Sequence, residues 1–313
     1  MILRRYDDPA EFVRRATAAL EAHEAENNLA LGIANGVAGG DYSREAVFLA
    51  TVEHESTSHG GAPAAVTLRT PPFPVLVAYT PEAGDPEVVR LVTEALYDAY
   101  GSDIAGFNAD GRVVRHYVDA WTKRTGRRAR LHQSMRVYRL TRVRPPSGVS
   151  GSARRARAED HGTLIEFVSG FYRDALPDEY DPQRVVEMVT RLTSPPAGQR
   201  GLFVWEVDGR PVSMAAYSGP TPHGIRIVAV YTPPEERGHG YASACVAELS
   251  ARLLAEGRDY CFLFTDLANP TSNSIYQKIG YEPVSDHEHW KLAEWQARDG
   301  RARHADAHDA SRG

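Results

Sequence analysis

Short apolar runs and longer amphipathic stretches alternate along the chain, and their order predicts a mixed α/β fold. In the second half, residues 154–158 read as a short strand. Residues 160–175 put Leu164, Phe167, Val168 and Phe171 on one helical face at spacings of three and four. Asp181-Pro182 marks the start of a second helix, with a capping carboxylate followed by proline at the first helical position. The runs 202–207 and 211–217 flank Asp208-Gly209, a dipeptide that accepts the positive φ values of a tight hairpin. Residues 225–231 form a third strand. Residues 240–256 read as a helix burying Cys245, Val246, Leu249, Leu253 and Leu254. A strand at 260–264, a helix at 269–279 stopped by Gly280, and a strand at 281–292 complete the order. Hairpins followed by a strand–helix–strand crossover imply a mixed sheet with helices on both faces.

The first half reads in nearly the same order. Strands are expected at 3–6, 46–53, 64–70, 75–79 and 133–142, and helices at 10–34, 86–100 and 112–125. Specific words recur. Phe48-Leu49-Ala50-Thr51-Val52-Glu53 answers Phe203-Val204-Trp205-Glu206-Val207-Asp208, and Ala78-Tyr79-Thr80-Pro81 answers Val230-Tyr231-Thr232-Pro233. Gly126 and Gly280 each end the last helix of their half. Matches at nearly one offset, in matching structural places, imply two copies of one fold. Pro145-Pro146-Ser147-Gly148-Val149-Ser150-Gly151-Ser152 has almost nothing to bury and reads as a linker. The expected organisation is therefore a domain over 1–145, a linker over 146–153, a domain over 154–292 and a disordered tail over 293–313.

Composition narrows the function classes. The 313 residues carry a net charge of −5, which argues against nucleic acid as a partner. The apolar runs are strand-sized and none spans a bilayer. The first residues lack the pattern of a secretory signal. The two cysteines, Cys245 and Cys261, form neither a disulfide framework nor a metal clamp and read as core residues, so no metal is expected and a reducing cytoplasm is. The oligomeric state is left open between monomer and homodimer.

The stretch richest in chemistry runs from Val230, Tyr231 and Thr232 through Arg237, Gly238, His239, Gly240, Tyr241, Ala242 and Ser243. It leaves a strand and enters a helix, whose first turn offers free N–H groups and a partial positive charge to an anion. Glycines at 238 and 240 let the backbone come close to a pyrophosphate. No Gly-Lys-Ser/Thr follows, which excludes a Walker loop, and six residues separate Tyr231 from Gly238, too many for a dinucleotide turn.

Arg237-Gly238-His239-Gly240-Tyr241-Ala242 resembles the Arg/Gln-x-x-Gly-x-Gly/Ala motif of the GNAT superfamily of N-acetyltransferases. Asn269-Pro270-Thr271-Ser272-Asn273-Ser274-Ile275-Tyr276-Gln277-Lys278-Ile279-Gly280-Tyr281 is similar to a later segment of that family. The resemblance covers residues 154–292. It implies tandem GNAT-like domains, each a mixed, mostly antiparallel sheet flanked by helices, and acetyl-coenzyme A as cosubstrate. By position it implies that the backbone of Val230, Tyr231 and Thr232 holds the acetyl carbonyl and pantetheine arm. Arg237 to Ser243 would hold the pyrophosphate, and Asn269 and Asn273 would lie beside the cleft. Tyr276 would be the general acid toward sulfur. The resemblance further implies that the acetyl group moves directly to an amine of a small molecule or peptide.

The general base is not legible. Asp266, after the strand at 260–264, is one candidate and Glu206 another, while His239 is expected to face solvent. At the place answering Arg237 to Ala242, the first half has Glu82-Ala83-Gly84-Asp85-Pro86-Glu87, whose carboxylates would repel a pyrophosphate. Thr122 stands where Tyr276 does. The first half therefore reads as a degenerate copy that has lost coenzyme A and closes the cleft.

Overall fold

The computed structural model of the chain describes residues 1–42, 47–55, 61–194 and 198–293. The expected tail beyond residue 293 lies outside the described residues. The first half consists of β1 (Ile2–Arg5), α1 (Pro9–Glu21), α2 (Asn28–Gly39), β2 (Phe48–Glu53), β3 (Ala65–Arg69), β4 (Val75–Val77), α3 (Pro86–Tyr100), β5 (Gly106–Asp110), α4 (Val114–Thr125) and β6 (Ala129–Leu140). The second consists of β7 (Ser152–Arg155), α5 (His161–Ala175), α6 (Pro182–Thr193), β8 (Gly201–Val207), β9 (Arg210–Ser218), β10 (Gly224–Tyr231), α7 (Tyr241–Ala255), β11 (Tyr260–Asp266), α8 (Pro270–Lys278) and β12 (Glu282–Leu292). The order of strands and helices is the same in both halves.

Two elements depart from the sequence reading. The expected helix at 10–34 is two helices, α1 ending at Glu21 and α2 starting at Asn28, with the buried Asn27 between them donating its side-chain amide to the Leu20 and Tyr79 carbonyls. Strand β5 lies in a stretch whose sequence pattern predicts no strand. Its Asn108 and Asp110 are turn-forming residue types, but Asp110 is held by the Arg112 guanidinium at 2.7 and 2.8 Å, so its charge is satisfied inside the sheet.

The two sheets expected from the repeat are joined edge to edge. All the strands form one sheet in the order β1-β2-β3-β4-β5-β12-β6-β11-β10-β9-β8-β7. The last strand of each half has crossed into the other. β12 pairs with β5 from His287↔Asp110 to Lys291↔Gly106, and β6 pairs with β11 from Cys261↔Leu140 to Asp266↔Met135. The two exchanged strands pair with each other at the centre. Gly106 shows why the exchange needs a residue without a side chain. Its φ is 157°, and a Cβ there would collide with the Trp290 carbonyl oxygen of β12.

The cores follow the exchange. Tyr138 and Leu140 of β6 are fully buried in the core that α7 makes with the second-half strands, among Cys245, Leu249 and Ile225. Leu292 of β12 packs into the core of α3 and α4 with Phe107 and Trp121. On the opposite face, α1 and α2 cover the first half, and α5 and α6 cover the second. A buried carboxylate adds a further tie. Glu24, between α1 and α2, accepts from Thr221 Oγ1 (2.5 Å), His223 N (2.9 Å), His223 Nδ1 (2.7 Å) and Gly224 N (3.1 Å) at the start of β10.

Candidate active site

The site is built where β10 and β11 part. They run parallel and pair only from Gly224↔Tyr260 to Arg226↔Phe262, although both strands continue. On the other side of β10, the register with β9 shifts between Val228 and Tyr231, and Ala229 takes a φ of 49°. A bulge of this kind bends a strand and turns its backbone groups out of the ladder. Backbone from Ile227 to Thr232 thus borders an opening in the middle of a sheet, on the side where β11 no longer pairs with it. Ser213 of β9 fixes the end of β10 by donating to the Tyr231 carbonyl (3.0 Å), with its Oγ also 2.8 Å from Thr232 Oγ1. The Tyr231 ring lies against Phe167 of α5, and a Cβ on Gly170 would strike its hydroxyl. That contact accounts for a glycine in mid-helix.

The chain then runs through a short 3₁₀ turn at 234–236 to Gly238 (φ 85°) and Gly240 (φ 82°), which caps α7. Two left-handed residues within three positions fold the backbone into a concavity of N–H groups. A Cβ added at Gly238 would meet nothing within 4 Å, so the glycine is there for its φ and its open face, not for packing. At the head of α7, Gly240 offers no side-chain cap, leaving the first-turn N–H groups of Tyr241, Ala242 and Ser243 to an outside acceptor.

Arg237 does not reach out over this loop. Its Nε donates to the Thr232 carbonyl (2.9 Å) and its Nη2 to Asp174 at the end of α5 (2.5 Å). The expected free charge is therefore already paired, and the side chain fixes the loop against α5. His239 is exposed and stacks on Tyr241 at 5.3 Å and 18°.

Across the opening, Asn269 caps α8 by accepting from Ser272 N (3.0 Å). Asn273 donates to the Asp266 carbonyl (2.8 Å) and accepts from Tyr138 of exchanged strand β6 (3.0 Å). Tyr276 is 8% exposed, edge-on to Tyr281, and burial pushes its hydroxyl up to about 12. It stays protonated at every physiological pH. Cys245 and Cys261 are fully buried and likewise raised to about 12 by burial, which removes both as thiolate nucleophiles.

Neither carboxylate considered as a base is free. Glu206 is bound to Arg154 at 2.5 Å on the far edge of the sheet, in a pair shared with Asp160. Asp266 lies at the end of β11, but its Oδ1 accepts from Ala268 N (2.8 Å) and its Oδ2 from Gln133 Nε2 (3.0 Å). Beside it is a cavity of about 300 Å³ lined by His132 and Gln133 of β6, Ala175 to Glu179 after α5, and Asp266. His132 and Gln133 escaped the sequence reading, since a strand assigned to one half carries no sign that it serves the other. A larger cleft of about 590 Å³, ringed by Arg4, Arg5, Arg14 and Arg15, lies on the first half, and Glu11 and Glu53 are in its lining.

Residues 166–281 match the model of the acetyltransferase (GNAT) family. They form a GNAT-family domain. Over both halves the chain shares its fold with solved structures at low identity. A tandem GNAT protein from the clavulanic acid biosynthesis pathway aligns over 95% of this chain and 99% of its own, at 15% identity and a TM-score of 0.56. A GCN5-related N-acetyltransferase from Sphaerobacter thermophilus aligns over 93% and 95%, at 17% identity and 0.57. A Drosophila protein aligns over 93% and 98%, at 13% identity and 0.61. No curated protein matches the chain. The tandem GNAT fold therefore covers both halves, while the family model covers the second. Among the described residues no helix is long and apolar enough to cross a membrane, and no cluster of His, Cys, Asp and Glu could hold a metal ion.

Proposed function

We propose that this chain transfers an acetyl group from acetyl-coenzyme A to a primary amine by direct attack, with the coenzyme held by the second half alone. The observation that carries this reading is the pairing of a parted, bulged β10 with an uncapped glycine-headed helix α7. The residues fit the coenzyme. Extended backbone at 230–232 suits the amide-bearing pantetheine arm, and the N–H concavity from Gly238 to Ser243 suits a pyrophosphate. Because Arg237 is paired with Asp174, backbone groups supply most of the phosphate contact and Arg237 positions the loop. Asn269 and Asn273 shape the wall beside the pantetheine.

The β10 backbone N–H groups polarise the thioester carbonyl, as oxyanion donors do. Tyr276, held protonated by burial, is the general acid that hydrogen-bonds the departing sulfur. The match to the acetyltransferase family supports a small-molecule or peptide amine as the acceptor. A second reading, a non-catalytic acyl-coenzyme A binder in a sensing role, is favoured by one observation: both carboxylate oxygens of Asp266 are engaged. Turnover decides between them. Free thiol release from acetyl-coenzyme A is measured with a panel of diamines, polyamines, amino acids and lysine peptides. Amine-dependent release supports transfer; tight binding without release from any of them supports the sensor.

A further inference from the structure

Resting on the acetyl-transfer reading, we propose that the cavity between the end of α5 and β6 takes the acceptor amine, and that His132, on the strand exchanged from the first half, accepts its proton. The position of the cavity carries the argument. Its floor is the end of β11 at Asp266, on the side of the sheet opening that β11 borders. Its roof begins at Ala175, the residue after Asp174, which grips Arg237 of the glycine loop. Asp266 is linked through its carbonyl to Asn273, on the same helix as Tyr276. The cavity is thus bordered by residues adjoining those that bond the glycine loop and α8, while neither segment itself lines it. At about 300 Å³ it is at the small end of ligand sites, which suits a small amine or the tip of a lysine side chain.

Besides Glu179, the lining supplies few free proton acceptors. Asp178 is paired with Lys291 at 2.9 Å, and Asp266 is occupied by Gln133 and Ala268 N. His132 is half-buried, edge-on to His289 of β12 at 5.0 Å. The groups that act on it are Lys291 and Arg130, which disfavour its proton, and Asp178 and Glu179, which favour it. Burial and Lys291 prevail, so its pKa is lowered and the neutral, accepting form is favoured. His289 is pushed down to about 4 by burial and stays neutral beside it.

The ammonium of the acceptor gives one proton to His132. The freed nitrogen lone pair attacks the thioester carbon, forming C–N as C–S breaks. The thiolate takes a proton from Tyr276, which is made good by the second proton leaving nitrogen. The imidazolium of His132 returns its proton to solvent. This assignment gives the first half a share in the chemistry although it has no coenzyme site of its own.

The test uses the full chain as His132→Gln and His132→Ala, the best amine of the panel, and acetyl-coenzyme A. Calorimetry with acetyl-coenzyme A reads the loop independently of His132, and both variants are expected to keep their affinity within about twofold. kcat/KM at neutral pH is expected to fall on the order of 10²-fold or more. The acid limb of the pH profile should vanish in His132→Gln, and added imidazole should restore rate to His132→Ala. Wild-type kcat and an unchanged pH profile in His132→Gln would overturn the proposal while leaving acetyl transfer standing. Absence of acetyl-coenzyme A binding to the wild type would overturn both.

Discussion

Tyr79 and Tyr231 occupy the same place in the two halves; the Tyr231 carbonyl accepts from Ser213, whereas both backbone groups of Tyr79 are taken by one side chain. In the second half, the end of β10 is bulged outward and borders an opening. In the first, Asn27 fills the corresponding place. Its side-chain amide donates to the Tyr79 carbonyl (2.9 Å), and its Oδ1 accepts from Tyr79 N (2.7 Å). One asparagine thus satisfies both groups that an extended ligand amide would use, and it is 1% exposed. Arg112 then covers the Tyr79 ring at 3.7 Å. The loop that follows is closed too. The Ala83 carbonyl accepts from Tyr117, α3 opens with Pro86, and Glu87 lies in its first turn. Where α7 presents bare N–H groups, α3 presents a proline and a carboxylate. The comparison teaches that one copy of a duplicated fold can close its own strand end with a side-chain amide, its polar backbone still satisfied.

The exchange of β6 and β12 sets the harshest test of how separable the halves are. A chain starting at residue 146 would lack β6, leaving the β11 edge bare and β12 without either neighbour. We expect it to give no cooperative thermal transition, as followed by circular dichroism. A soluble fragment with a sharp transition would mean that β12 can turn back onto β11.

Within the intact chain, Tyr276→Phe is expected to lower kcat on the order of 10²-fold with acetyl-coenzyme A affinity nearly unchanged, read by steady-state kinetics and calorimetry. Thr122, its counterpart in the first half, only bonds its own helix backbone (3.0 Å to the Asp119 carbonyl), and Thr122→Val should leave kinetics unaltered.

Smaller again is the effect of Asn27→Ala. It leaves the buried N–H and C=O of Tyr79 without their partner, at a cost of about 2 kcal/mol in chemical denaturation. It should not create a second coenzyme site, because Pro86 and Glu87 remain.

The smallest effect concerns the tie between halves. The Glu24 hydrogen bond, and then its charge, raises the pKa of His223 above the ordinary 6.5. A raised pKa means the folded state binds the proton more tightly. Its contribution is therefore full below about pH 6.5 and fades as pH rises through the folded value. The Tm gap between wild type and His223→Asn should narrow with increasing pH.

Much of this was legible in the sequence. Asp181-Pro182, Asp208-Gly209 and Gly238/Gly240 stand where their local chemistry put them, because caps and positive-φ turns depend on a few neighbouring residues. Register between distant strands is not local, which is why the crossing of β6 and β12 and the arrival of His132 at the cavity were not legible. The same limit hid the pairing of Arg237 with Asp174, residues 63 positions apart.

The central claim is that one half of a duplicated fold keeps the coenzyme and the other has plugged its own site. Calorimetric titration of the full chain with acetyl-coenzyme A tests it most directly. The account predicts one site per chain, abolished by Gly240→Trp and untouched by Gly84→Trp. Two sites per chain, or one site lost in Gly84→Trp and kept in Gly240→Trp, would contradict it.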